Sequence, residues 1–233
     1  MSATPEAGFS GYVDHFGLAG TDLVVHESSL SPHAKGAEPA QDDKDIIVDM
    51  GYYVGGPGKQ AEVTYHLKSG TLNLNTLNVG LQTATPVTAI IQSISVETNK
   101  GAWPTITVSG IVDCSPAPVG SKHTLPSITL NGQKNAQAMG LTITGTDVNL
   151  QSATLSFEGN IEHILADKDT IGGIGFSGCS GSASVEYLVR DAVTGASKTL
   201  TDFEITQAPA SSGGITSWTT ATAEAQGYLP ADA

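Results

Sequence analysis

The feature that most constrains this chain is alternation. Between Ile46 and Gln207, short segments place an apolar residue at every second position, with Gly, Pro, Asn and Asp between them. In "AEVTYHL", Ala61, Val63, Tyr65 and Leu67 fall on one side. Successive Cβ atoms of a strand point to opposite faces, so this is the pattern of a strand with one buried and one solvated face. "TAIIQSISVE" alternates through Ile90, Ile94 and Val96, "NKG" supplies a turn, and "TITVSGIV" returns with Ile106, Val108 and Val112 inward. These segments predict a long hairpin, with Trp103 and Pro104 marking the start of its return strand. "GTLNLNTLNVGL" begins with Leu72 and Leu74, then shifts phase to Leu77, Val79 and Leu81. A one-residue slip turns every side chain to the opposite face, so a bulge or tight bend is expected between the two sets.

A second block follows the Pro-rich "SPAPVGSKHTLP". "LTITGTDVNLQSATLSFEGN" reads as strand, turn, strand, with Ala153, Leu155 and Phe157 on one face. "IEHILAD" (161–167) has Ile161, Ile164 and Leu165 at helical spacing and is predicted as the one short helix. The Gly-rich "IGGIGFSGCSG" reads as a flexible or tightly packed turn leading into "SASVEYLV", and "TLTDFEITQ" follows a further turn. Residues 1–45 read as an N-terminal arm in which only "TDLVVHES" has strand character; 209–233 read as a C-terminal arm with one strand around Trp218. The fold class expected is all-β, β-rich with one short helix, with two packed antiparallel sheets over 46–208. The arms carry too few alternating apolar positions to offset their ordering entropy alone and are expected to order against a neighbour.

Composition removes several functions. Charged residues are 14%, against roughly 25% in typical soluble domains. Thr, Ser, Gly and Asn take their place, which gives a polar but thinly charged surface suited to being covered by neighbours. The net charge is -13, Lys and Arg together number only 10, and Arg190 is the one arginine. A nucleic-acid-gripping protein needs clustered cations to neutralise phosphates. The start, "MSATPEAGFSGYVD", has neither the basic nor the apolar region of a secretory signal. No stretch approaches the ~18–20 apolar residues of a membrane span, so no membrane partner is expected. With no secretory signal, Cys114 and Cys179 are expected as two small buried thiols, although they could pair.

A search for chemistry finds little. His15, His26, His33, His66, His123 and His163 show no metal-ligand spacing, and no Cys-x-x-Cys occurs. Glu162 and His163 are neighbours whose side chains would diverge on a helix. Asp42, Asp43 and Asp45 cluster around Lys44 without the spacing of a calcium loop, so a solvated loop is expected. "GFSGCSG" lacks the spacing of a nucleophile elbow, and no Lys follows "GGIGFSG" as a phosphate cradle requires. An enzyme is not expected, nor any cofactor or metal.

The hairpin pattern "ISVETNKGAWPTITVSGIVD" resembles one in bacteriophage tail tube-like structural proteins, and "LTITGTDVNLQSATLSFEGNIEHILADKD" with "ASVEYLV" resembles the second half of such proteins. The resemblance spans about residues 80–190 and carries no catalytic residues. It implies a tail-tube-like sandwich or barrel with a flanking helix, closed into six-membered rings that stack into a hollow tube conducting the genome. It further implies self-association, contact with other tail or capsid proteins, passage of DNA without specific binding, and a place in the virion after assembly in a bacterial cytoplasm. The hairpin tip, Asn99, Lys100, Gly101 and Trp103, is then expected at the subunit interface; the other reading is that Trp103 closes the core of its own hairpin. An acidic lumen would repel passing DNA. Two alternatives stay open: a capsid decoration or other capsid-associated protein, and a carbohydrate-binding or adhesive β-sandwich.

Overall fold

The computed structural model describes residues 12–32, 38–41, 47–51, 58–84, 87–113, 121–131, 139–145, 147–166, 170–190, 192–209 and 218–231. The described chain runs β1 (Leu23–Pro32), β2 (Glu38–Gln41), β3 (Ile47–Gly51), β4 (Lys59–Leu67) and β5 (Thr71–Asn73). A 3-10 turn (Leu74–Thr76) precedes β6 (Asn78–Ala84), β7 (Val87–Asn99), β8 (Thr105–Val112), β9 (Lys122–Thr124) and β10 (Thr129–Asn131). Then come β11 (Leu141–Gly145), β12 (Val148–Ala166), β13 (Thr170–Val189), β14 (Val193–Lys198), β15 (Phe203–Gln207) and β16 (Thr219–Pro230). The fold is all-β.

A ten-stranded sheet dominates, with the order β1-β4-β8-β7-β12-β13-β16-β15 and with β6 and β9 branching from β7. Its pairs are antiparallel throughout. Three two-stranded sheets, β5-β10, β11-β14 and β2-β3, accompany it. The expected hairpin is present as β7 and β8. The expected phase shift is a 3-10 turn: Leu74 and Leu77 are both buried, and the Leu77 N–H closes the turn on the Leu74 carbonyl at 2.8 Å.

One face of the large sheet is apolar. Ala61, Val63, Tyr65, Leu67, Ile94, Val96, Ile106, Val108, Leu155 and Val185 lie on it at 0–1% exposure, as their alternation requires. Leu130 of β10, Leu141 and Ile143 of β11 and Val193 of β14 join the same core. Each such side chain contributes on the order of 1.5–3 kcal/mol by leaving water.

Two glycines shape this core. Phe157, Gly181, Gly227 and Phe203 stand opposite one another in successive strands. A Cβ at Gly181 would strike the Phe203 ring, and one at Gly227 would come within 2.8 Å of it. The bare backbone lets Phe203 reach across two strands to meet Phe157 edge-on, with ring centroids 6.1 Å apart.

Three expectations are corrected. No α-helix forms over the described 161–166 of the expected 161–167; β12 continues as strand to Ala166, paired with β13 as far as Thr170. The Gly-rich 171–181 segment is not a turn but part of β13. Nor do the terminal segments stand apart from the sheet. β1 pairs with β4 over its length, and β16 lies between β13 and β15. Before β1, Phe16 is 4% exposed in the core, and the Asp14 carboxylate accepts the Tyr65 hydroxyl and the N–H groups of Phe16, Gly17 and Ala19. The sequence hid this because the anchors are scattered: Phe16, Asp14 and Leu23 in the first segment, and Leu229 with the small Ala223 and Ala225 in β16.

Candidate functional site

The second face of the large sheet is built from the polar half of each alternating strand. Pairing registers align these residues into rows across the sheet. One row reads His66, Thr105, Glu97, Thr154, Ser184 and Glu224 from β4 to β16. The next reads Glu27, Thr64, Thr107, Ser95, Ser156, Ser182, Gln226 and Glu204 from β1 to β15. A third reads Ser29, Glu62, Ser109, Ser93, Glu158, Ser180 and Tyr228. No Lys or Arg stands in any of the three.

Hydroxyls bond along these rows. Thr64 and Thr107 meet at 3.3 Å, Ser93 and Ser109 at 2.7 Å, and Ser156 and Ser182 at 2.7 Å. Cross-strand pairs of this kind contribute roughly 0.2–1 kcal/mol each and keep the side chains low. The Asn99 amide donates to the Glu97 carboxylate at 2.7 Å. The result is a polar surface of short hydroxyls from which carboxylates project. Where Ser180 and Ser182 lie between Glu158 and Gln226, it dips into a depression of about 260 Å³. Tyr228 flanks the dip, 52% exposed, with its hydroxyl donating to the Ser177 carbonyl at 2.7 Å.

The hairpin residues singled out from the sequence come together at one end of this sheet. Gly101 adopts φ 82°, which a β-turn tip accommodates without a side chain. The Ala102 N–H donates to the Asn99 carbonyl at 3.0 Å. The tip is stitched on both sides, by Lys100 N–H to the Gln151 carbonyl at 2.8 Å and by Leu67 N–H to the Pro104 carbonyl at 2.9 Å. Trp103 is 44% exposed and lies outside the buried core, so it does not close its own hairpin. The registers place Asn99, Ser152, Glu186 and Thr222 in one line, so Trp218, 48% exposed just before β16, stands at the same end of the sheet. Nothing local in the sequence joins residues 103 and 218; the strand order alone puts them at one end.

At the opposite end, β12 and β13 part from β7 and β16, while β7 continues to Val87 paired with β6 and β8. The last β12 pair with β7 is Glu158–Ser93, and the last β13 pair with β16 is Gly178–Pro230. Beyond them Ile161–Ala166 pairs with the start of β13 as a two-stranded ribbon, roughly 20 Å long at the rise of a strand.

The other candidates are less assembled. His123 is 9% exposed, and its Nδ1 bonds the Pro230 carbonyl, tying β9 to the end of β16. With Thr124, Ser127, Thr199 and Asp202 it lines a second depression, of about 320 Å³. His26 and His66 stack with ring centroids 4.1 Å apart. Burial, then the neighbouring charge of His26, lowers the His66 pKa. Cys179 is buried. Cys114, the 42–45 acidic run and the side chains of Glu162 and His163 lie outside the described residues. Among the described residues no three His, Cys, Asp or Glu side chains group so as to hold a metal ion. No helix among them is long and apolar enough to cross a membrane. No family model matches the chain, and no curated protein is similar to it.

Proposed function

We propose that this chain is a virion structural protein, a bacteriophage tail tube subunit that forms stacked six-membered rings, with the hydroxyl-and-carboxylate face turned to the lumen. The observation that carries the reading is the charge of that face: across its three rows it presents Glu27, Glu62, Glu97, Glu158, Glu204 and Glu224 and no Lys or Arg. A conduit for DNA must not hold it. Binding proceeds through cations that displace condensed counterions from phosphate, and this surface has none to offer. Short hydroxyls keep the wall smooth.

Other features support assembly. The sheet ends in two edge strands, β1 and β15, each paired with a strand on one side only among the described residues. Such edges are templates for pairing with another chain. The β12–β13 ribbon parts from its neighbours at one end of the sheet, and exposed Trp103 and Trp218 occupy the other. Stacked copies would bring ribbon and tryptophans together. In this reading the partners are further copies of the chain, other tail or capsid proteins and passing DNA, the setting is the virion, and the subunit is no enzyme.

The double charge reversal Glu97→Lys with Glu158→Lys tests the lumen assignment. Side chains that line a water-filled channel tolerate the change, so rings and tubes should persist in negative-stain images. Loss of assembly in this variant, with the fold intact by circular dichroism, would mean that the face is a contact surface instead. A second reading, a carbohydrate-binding surface, draws on the depression beside Tyr228. A glycan array on the wild-type chain separates the two, because a tube subunit gives no hit that Tyr228→Ala removes.

A further inference from the structure

We propose that His26 and His66 form a binding site for a borderline divalent transition-metal ion, Cu²⁺, Ni²⁺ or Zn²⁺, that rivets the edge strand β1 to β4. The geometry begins with a bulge. β1 and β4 pair in register from Leu23–Leu67 to Val25–Tyr65, and pairing resumes at Glu27–Thr64, leaving His26 as the extra residue. Bulges re-aim a side chain, and they recur at sheet edges and next to functional sites. This one turns the exposed His26 onto His66, with centroids 4.1 Å apart and planes inclined by 17°.

The two rings therefore lie side by side on adjacent strands at the sheet edge. Two imidazole nitrogens at ~2.0–2.1 Å from a tetrahedral metal are separated by roughly 3.4 Å. Stacked rings aim their in-plane lone pairs alike, so chelation requires the exposed His26 side chain to swing to another staggered rotamer that turns its ring edge toward His66, which its exposure allows without moving the backbone. Imidazole suits copper, nickel and zinc better than magnesium or calcium. Carboxylates stand near the pair, Glu27 next to His26 and Glu97 in the row of His66, with Lys68 following the end of β4 two residues beyond His66. Water completes the coordination, since only two protein ligands converge. The ion would hold the one strand that presents the longer open edge of the sheet.

The test uses the full chain, stripped with a chelator and titrated separately with CuCl₂, NiCl₂ and ZnCl₂ by calorimetry, with melting temperature as a second readout. Expected is binding of one ion, weakened by about tenfold or more in His26→Ala and in His66→Ala, at least the loss that removal of an outer-shell partner causes. His15→Ala should bind as the wild type does. Metal should raise the melting temperature of the wild type and not that of the double variant, since an ion that binds only the folded state stabilises it. Copper bound to the wild type should show hyperfine structure from two nitrogens in its paramagnetic resonance spectrum. No binding by the wild type, or equal affinity in the folded double variant, would overturn the proposal.

Discussion

At Gly181 the interior depends on the absence of one methyl group. The Phe203 ring occupies the space that a Cβ would take, and Phe157 closes it from the other side. Gly181→Ala should therefore cost about 1–3 kcal/mol through overpacking, read as a fall of roughly 2–4 °C in melting temperature per kcal/mol. Thr98 points the other way. It is 2% exposed, and its hydroxyl has no hydrogen-bond partner among the described residues. Thr98→Val should raise stability by on the order of 1 kcal/mol, because the buried unsatisfied group is removed at constant shape; a lower melting temperature would contradict the packing described. Tyr65 gives a pH dependence. Burial first, then the hydrogen bond to Asp14 and its charge, raise the phenol above its ordinary 10.0. The unfolded chain therefore releases this proton near pH 10 while the folded chain keeps it. Its contribution is full below that pH and is lost as pH rises further. Tyr65→Phe should melt lower at pH 7, through loss of the Asp14 bond, but decline less steeply between pH 9 and 11. Glycine's role here was not legible in the sequence, where "SGCSGS" suggests a loop. Nor was the meeting of His26 with His66, which needs both the strand pairing and the bulge.

The strands themselves were legible wherever one face is buried and the other wet, because that contrast writes the alternation. β4 follows it residue by residue, as do β7 from Ile94 to Val96 and β8 from Thr105 to Ser109, whereas a bulge between Ile91 and Ser93 leaves Ala89, Ile90 and Ile91 all buried. It failed where register breaks. β12 shifts register between Gly159 and Ile161 and again between Ile164 and Leu165, so apolar residues in one continuous strand fall at spacings that imitate a helix. It also failed in β16, whose buried positions include Ala223 and Ala225, too small to stand out among Thr and Glu. The element-scale consequence is testable. Truncation after residue 208 removes the strand between β13 and β15 and the Leu229 and Ala225 core contacts. The product should lose its cooperative melting transition; a truncated chain with near-native melting would show that 209–233 is an arm after all. Trp103 belongs to the opposite class. With 44% of its surface exposed at a turn held by backbone bonds, Trp103→Ala should change stability by no more than about 0.5 kcal/mol, and if the tip meets a neighbour it should weaken assembly much more, as aromatic anchors do.

For the whole molecule, the large sheet separates two jobs. Its apolar face packs in the core with residues of β10, β11 and β14, and its hydroxyl-and-carboxylate face lies outside that core. The residue types of that second face are visible in the sequence as Ser, Thr and Glu between apolar positions; their union into continuous rows without a cation is not, since it depends on the order of eight strands. A tube subunit, as proposed, would use this face together with the two edge strands, the β12–β13 ribbon and the exposed tryptophans. The most direct test is the mass and shape of the purified full-length chain. Light scattering coupled to size-exclusion chromatography, with negative-stain imaging of the same fractions, should give masses that are multiples of six times the 23.8 kDa chain and show rings that stack into hollow tubes. A single species of 23.8 kDa at every concentration, with no rings in the images, would contradict the account.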